Sequence, residues 1–301
     1  MGTSRHLSRR QVLLGGAGTL VLAACGSGTS SGDRAGAGPT TTAVSGGGGG
    51  KAGGLVLFKA FQAQQAVGVP LRLPLGIADQ DGSFDVDLPK HVSAHLRRPD
   101  GSSTAPMTLD LHDKDLPRGY FPLRTTFDTP GRWAIVLETG TLQVETTVDA
   151  KPRSQVPNVP GPGDALPKVP TPTGADHQGV SPICTRNPVC PFHTVSLDRA
   201  IGGSKPIALL ISTPAYCQVA ICGPVLDLLV ARKASLAGIE VIHAEVYVDD
   251  KAQTTAPIVD ALGLDYEPSL FLAAPDGTVT DRLDSIFDGD ELNDALARLA
   301  P

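Results

Sequence analysis

The stretch Lys205–Leu229, KPIALLISTPAYCQVAICGPVLDLL, constrains the fold more than any other part of the chain. Pro206–Ser212 is a short apolar run rich in β-branched residues, which reads as a buried strand. A turn carrying Cys217 and Cys222 follows, and Gly223-Pro224 opens a helix, because proline's missing N–H costs nothing in a first turn. Two cysteines delivered to a helix N-terminus sit where the dipole and the free N–H groups favour a thiolate, the reactive form of the thiol. In one regular helix residues five apart would lie about 140° apart, on different faces. As a loop ahead of the helix, the segment brings the two sulfurs to bonding distance.

The N-terminal residues read as a targeting signal. Ser8-Arg-Arg-Gln-Val-Leu-Leu14 resembles a twin-arginine export motif, with Arg9 and Arg10 as its pair. The apolar run Val12–Ala24 is short of the ~20 residues that span a bilayer. It ends in Leu22-Ala-Ala-Cys25-Gly26, which resembles a bacterial lipobox, and that resemblance implies lipidation at Cys25. Residues 1–25 are thus expected to export the chain and anchor it by lipid to the outer face of the cell membrane. With Cys25 assigned to lipid, four of the five cysteines remain. An even number outside the cytoplasm predicts disulfides, here Cys217–Cys222 and Cys184–Cys190. The net charge of -6 and the lack of a basic stripe interleaved with aromatics exclude nucleic acid as a partner.

Aromatics make up only 4% of the chain, and its 34 glycines and 26 prolines imply long unstructured stretches around folded parts. Residues 26–54 are rich in Gly, Ser, Thr and Ala and read as a flexible tether. Residues 55–150 hold seven candidate strands: Leu55–Phe61, Leu71–Ala78, His91–Arg97, Met107–Leu111, Tyr120–Phe127, Arg132–Glu138 and Thr141–Val148. Turn signals such as Pro99-Asp-Gly101 and Pro130-Gly131 separate them, which predicts a β-sandwich. Phe127-Asp-Thr-Pro-Gly-Arg-Trp133-Ala-Ile-Val-Leu resembles the late strands of immunoglobulin-like domains, where a glycine turn precedes a strand with a large inward ring. His91 and His95 lie about 13 Å apart along one strand face at ~3.3 Å per residue, too far to share a metal. Residues 151–182 are proline-rich and read as a semi-rigid linker that separates two folded units.

In residues 183–301 the predicted order is strand–helix–strand–helix–hairpin–helix. The later elements are Ile239–Val248, a helix over Thr254–Leu262 capped by Thr254 or Thr255, the hairpin Ser269–Ala274 with Thr278–Leu283, and a closing helix over Asp290–Ala300. The helix between the first two strands predicts a parallel pair with helices on both sheet faces. This order resembles the thioredoxin fold. Cys222-Gly-Pro-Val225 is similar to the thioredoxin motif Cys-Gly-Pro-Cys, with Val225 in place of the second cysteine. Tyr266-Glu267-Pro268-Ser269 resembles the loop whose cis-proline faces the active cysteine. The resemblance implies thiol–disulfide exchange, without a cofactor, on exported protein thiols or disulfides, through Cys217 and Cys222 with Pro268 shaping the substrate groove.

Counted from the strand, Cys217 is placed like the first thioredoxin cysteine; counted from the helix, Cys222 is, and the Gly-Pro after it favours Cys222 as the low-pKa thiol. Three departures stand out: the spacing is Cys-x4-Cys, Ile207-Ala-Leu-Leu-Ile211 has no acidic residue, and Glu267 precedes Pro268. A carboxylate beside a thiol either disfavours the thiolate or accepts its proton; Glu267 as an exposed loop charge is the other reading. The rival function is metal binding, of copper(I) or zinc, by Cys184, Cys190 and His193 or by the Cys217/Cys222 pair. Sco-type copper proteins share the thioredoxin fold, but they use a histidine late in the domain, and here none follows His243. No metal ligand is therefore assigned. A peroxidase pattern Pro-x-x-x-Thr-x-x-Cys is absent, and a non-catalytic interaction protein is the third reading.

Overall fold

The computed structural model describes residues 55–299 apart from 81, 82, 85, 141, 218 and 219. Arg9, Arg10, Cys25 and the tether lie outside the described residues. The described residues belong to one compact unit, in which a β half precedes a half of mixed sheet and helix. None of the described helices is long and apolar enough to cross a membrane.

The β half consists of β1 (Leu55–Lys59), β2 (Gln64–Ala66), β3 (Leu71–Asp79), β4 (His91–Arg97), β5 (Met107–Asp110), β6 (Phe121–Thr125), β7 (Gly131–Thr139) and β8 (Leu142–Lys151). They form two sheets, ordered β1-β3-β6 and β2-β8-β7-β4-β5. Alternation sets which side chains turn inward: in β4, Val92, Ala94 and Leu96 are buried while their neighbours are not. Together with Leu57, Leu73, Leu75, Phe121, Leu123, Phe127 and Trp133 they form the core between the sheets. Trp133 is the expected inward ring of β7, and its indole N–H donates to the Thr129 carbonyl at 2.9 Å, so burial leaves no polar atom unpaired. β2 was not among the expected strands; three residues are too few to show alternation. His91 and His95 remain apart, His91 paired with exposed Asp110 at 2.6 Å.

The second half comprises α1 (Leu197–Ala200), β9 (Ile207–Ile211), α2 (Cys222–Ala231), β10 (Glu240–Ala244), α3 (Pro257–Leu262), β11 (Ser269–Ala273), β12 (Val279–Asp284) and α4 (Gly289–Leu299). Its sheet runs β10-β9-β11-β12, with β9 and β10 parallel and the other neighbours antiparallel. Every residue of β9 is buried, and alternate ones serve two cores. Ala208 and Leu210 meet Val225, Leu226 and Leu229 of α2 and Leu292 and Ala295 of α4. Ile207, Leu209 and Ile211 meet α1 and Ile258, Val259 and Leu262 of α3. A strand covered on both faces has no polar side to show, which is why it reads as an unbroken apolar run. The N-cap of helix α3 is Ala256, ahead of Pro257, one residue beyond Thr255 and two beyond Thr254, and the Thr255 hydroxyl donates to Asp260 at 2.9 Å instead. Gly263 ends it with φ 65°, the left-handed region glycine tolerates.

Residues 152–182 do not hold the two halves apart, contrary to the linker expectation. Val159, Leu166 and Val180 are buried in the core beneath α1 and α3. The segment is laced to the second half by Leu166 N–H to Gly277 O, Val279 N–H to Asp164 O and Gly163 N–H to Val279 O, each 2.8–2.9 Å. Its few apolar residues follow no helix or strand period, so nothing in their spacing announces that they are buried.

The two halves also meet directly. Arg72 of β3 forks onto Glu291 of α4, Nε to Oε1 at 2.6 Å and Nη2 to Oε2 at 2.5 Å, with both side chains buried. Its remaining N–H groups donate to the carbonyls of Asp284 at 2.8 Å and Ile286 at 2.5 Å. The Tyr120 hydroxyl donates to Glu291 Oε2 at 2.5 Å and accepts the Asp288 N–H at 3.0 Å. His112, which the sequence places beside Asp113, instead reaches Asp288 across the same junction at 3.1 Å.

Candidate functional site

Strand β9 runs into buried Ser212 and Thr213, and the chain then loops to α2. Cys217 in that loop and Cys222, the first residue of α2, form a disulfide with Cα atoms 6.0 Å apart. α2 is anchored by Val225, Leu226 and Leu229; Val225, which stands where a Cys-x-x-Cys motif would have its second cysteine, is a core residue. The two sulfurs are not equivalent. Cys222 is 0% exposed, whereas Cys217 is only partly buried. The Cys222 backbone N–H, at the helix N-terminus, points at Cys217 Sγ at 3.3 Å. The sequence reading favours Cys222 as the low-pKa thiol; in the structure Cys222 is the more buried of the two. The helix start does favour a thiolate, but the sulfur that its N–H meets is that of Cys217, lying just ahead of the helix.

Glu267 is not an exposed loop charge. Its Oε2 accepts the Thr213 N–H at 2.9 Å and lies 3.5 Å from Cys222 Sγ. Burial raises its pKa to about 8; the Thr213 hydrogen bond opposes this, and the charge of Glu245 adds to it. Pro268, joined to Glu267 by a cis peptide, is buried at the head of β11, and its carbonyl accepts the Ser285 N–H at 2.7 Å. Tyr216 and Tyr247 stand edge to face near the loop, 6.3 Å between ring centroids.

Cys184 and Cys190 are not disulfide-bonded, contrary to expectation: both are free and buried. They converge on His193 and on His243 of β10, with one donor atom from each within 4.8 Å of all the others. Cys190 Sγ lies 3.2 Å from His193 Nε2 and 3.5 Å from His243 Nδ1; Cys184 Sγ lies 3.7 Å from His243 Nδ1. The Cys190 backbone N–H donates to Cys184 Sγ at 3.5 Å; the interaction between the two thiols lowers the Cys184 pKa and, with burial, raises that of Cys190. The sequence reading assigns no metal ligand; the structure places four potential donor side chains together. His243 lies inside strand β10, and its side chain meets the other three donors.

The two clusters are neighbours. Thr185, next to Cys184, gives its N–H and hydroxyl to buried Glu245 at 2.6 and 3.0 Å, and its Oγ1 accepts the Ala215 N–H at 3.1 Å, two residues before Cys217. Ser212 Oγ lies 3.0 Å from His243 Nε2, and the next residue holds Glu267. Glu245, Thr185 and Ser212 carry no motif; an acidic residue directly after the apolar β10 run was the one available signal.

No family model matches the chain, and no curated protein matches it. Among solved structures, the Lin-41 filamin domain is similar over 30% of this chain and 83% of its own, at 16% identity and a TM-score of 0.21. A DUF4785 family protein from Legionella pneumophila is similar over 36% of this chain and 30% of its own, at 17% identity and a TM-score of 0.22. At those scores neither likeness speaks to fold or function.

Proposed function

We propose that the chain exchanges thiols and disulfides with client proteins through Cys217 and Cys222. The observation that carries this reading is the asymmetry of the bonded pair: a reachable sulfur at a helix N-terminus, and a buried one beside a carboxyl group whose pKa is raised to about 8. A client thiolate attacks Cys217 Sγ, the Cys217–Cys222 bond breaks, and Cys222 leaves with the electron pair. Glu267, still protonated at neutral pH, supplies the proton that the Cys222 sulfur takes up. A second client thiolate then displaces Cys217, so two client thiols become one client disulfide and the pair becomes a dithiol. In reverse, Cys217 attacks a client disulfide and Cys222 gives its proton to Glu267 as it resolves the mixed disulfide.

A thioredoxin-like architecture for the second half is supported by the order β10-β9-β11-β12, the helices on both faces and the position of the pair between β9 and α2. Thioredoxins keep a buried carboxylate for proton transfer on the strand that corresponds to β9, which here has no acidic residue; that Glu267 takes this role is part of the same proposal. An immunoglobulin-like reading of the β half is supported by its two facing sheets and inward Trp133. Export and lipid anchoring at the membrane rest on Arg9, Arg10 and Cys25 and would place the clients among exported proteins.

The test is the reduction potential of the Cys217–Cys222 couple in the full chain, with trapping by single variants. A value near cellular thiol buffers, roughly -180 to -270 mV, is expected; one below about -300 mV would mark an inert staple. Cys222→Ser should accumulate a mixed disulfide with a reduced-and-reoxidised client protein, because the resolving sulfur is gone. Cys217→Ser should trap none. The opposite pattern would make Cys222 the attacking thiol.

A further inference from the structure

We propose that Cys184, Cys190, His193 and His243 bind one zinc ion in a closed, tetrahedral Cys2His2 site. The donor spacing carries the argument. For metal bonds of about 2.3 Å to sulfur and 2.0–2.1 Å to nitrogen, a tetrahedron places its donors roughly 3.3–3.8 Å apart. Four of the six edges are 3.2, 3.5 and 3.7 Å between sulfur and nitrogen and 3.4 Å between the ring nitrogens of His193 and His243; the two others, from Cys184 Sγ to Cys190 Sγ and to His193 Nε2, are within 4.8 Å. Four groups with donor atoms around one point differ from two sulfurs poised to join each other, with histidines as bystanders.

Protonation agrees with that geometry. His243 Nε2 lies 3.1 Å from the Ser212 carbonyl, which only accepts, so Nε2 carries the hydrogen. Nδ1 then turns its lone pair to the cluster, the arrangement a backbone carbonyl imposes on a metal-binding histidine. His193 Nδ1 has no partner among the described residues, so the polar contacts of that ring are those of Nε2 within the cluster. All four residues are buried. Loss of two thiol protons to solvent on binding gives two thiolates that balance a divalent cation, so the filled site carries no net charge into the interior. Four protein ligands, two soft and two borderline, without an open position, select zinc over magnesium or calcium and mark a structural ion rather than a catalytic one.

The ion would pin the segment Pro182–His193 to β10. That segment holds the cysteine loop through the Thr185–Ala215 hydrogen bond. The site uses neither Cys217 nor Cys222, so it stands or falls apart from the exchange reaction.

The experiment is metal analysis of the full chain purified without chelator, followed by cobalt(II) replacement and single variants. About one zinc per chain is expected, with tetrahedral cobalt bands carrying thiolate charge-transfer intensity. Cys184 and Cys190 should resist alkylation until a chelator is added. His193→Ala should weaken zinc binding at least tenfold, and His193→Cys, another zinc ligand, should restore it with stronger charge transfer from a third sulfur. That rescue separates ligand loss from misfolding, which circular dichroism checks in parallel. A Cys184–Cys190 disulfide in the freshly purified chain, copper in place of zinc, or zinc content unchanged in His193→Ala would each overturn the assignment.

Discussion

Glu267→Gln is expected to slow attack by a client thiol on the Cys217–Cys222 disulfide by about 10²-fold at pH 7, the low end of what a positioned proton donor contributes. The carboxyl group lies 3.5 Å from Cys222 Sγ, and its raised pKa of about 8 keeps it protonated at neutral pH. Glutamine retains the size and can still accept the Thr213 N–H, but it has no proton to give to the departing sulfur. Corrected for the client thiolate fraction, the wild-type rate should fall as pH rises through about 8, and the variant rate should be flat there. Stability carries the same signature. In the unfolded chain Glu267 ionises near pH 4.5, whereas in the folded chain it holds its proton to about pH 8. The stabilisation it gives is therefore complete below pH 4.5 and is lost as pH rises from there through 8, by a few kcal/mol at most (~1.4 kcal/mol per pH unit of difference). Glu267→Gln should remove that slope. Stopped-flow rates and urea melts between pH 5 and 9 measure both effects. An unchanged rate with an unchanged slope would remove Glu267 from the reaction.

Arg72→Ala is expected to destabilise the chain by about 3–5 kcal/mol, the cost of stranding one partner of a buried ion pair. Glu291 would keep Tyr120 and Arg124, at 2.5 and 3.1 Å, but would lose the two-pronged bond that best balances its charge. The carbonyls of Asp284 and Ile286 would lose a donor as well. Burial by itself would raise the Glu291 pKa; the charge and hydrogen bond of Arg72, with help from Tyr120 and Arg124, outweigh it and hold the carboxyl below its ordinary range. That contribution is present above the unfolded value and is lost as pH falls through the folded one, so the junction weakens in acid. The double replacement Arg72→Met with Glu291→Leu should recover part of the loss, because it leaves no charge stranded. Urea midpoints for the three proteins decide the matter. A loss below 1 kcal/mol for Arg72→Ala would mean that water reaches Glu291 and the halves are not held by this pair.

Much of the backbone was legible because local chemistry determines it. Alternation marks β4, an unbroken apolar run marks β9, and Gly263 ends α3, each through interactions within a few residues. The Cys217–Cys222 pairing was legible from the Gly223-Pro224 helix start, which leaves both cysteines in or at the edge of a loop; an even cysteine count did not pair Cys184 with Cys190. What stayed hidden depends on residues far apart in the chain. The inward face of β10 brings His243 to Cys184, Cys190 and His193, and the turn before β11 folds Glu267 onto Cys222, 45 residues away. Residues 151–182 read as a spacer because burial there rests on isolated apolar contacts with no period to read. By itself, then, the sequence determined most of the longer strands and helices and one of the two expected disulfides, through short-range sterics and apolar patterning; it missed the short β2 and α1 and wrongly paired Cys184 with Cys190. Only the tertiary structure decided which cysteine of the pair is the more buried, which carboxyl has its pKa raised and that Cys184, Cys190, His193 and His243 converge, because burial and through-space electrostatics depend on distances that chain order does not encode.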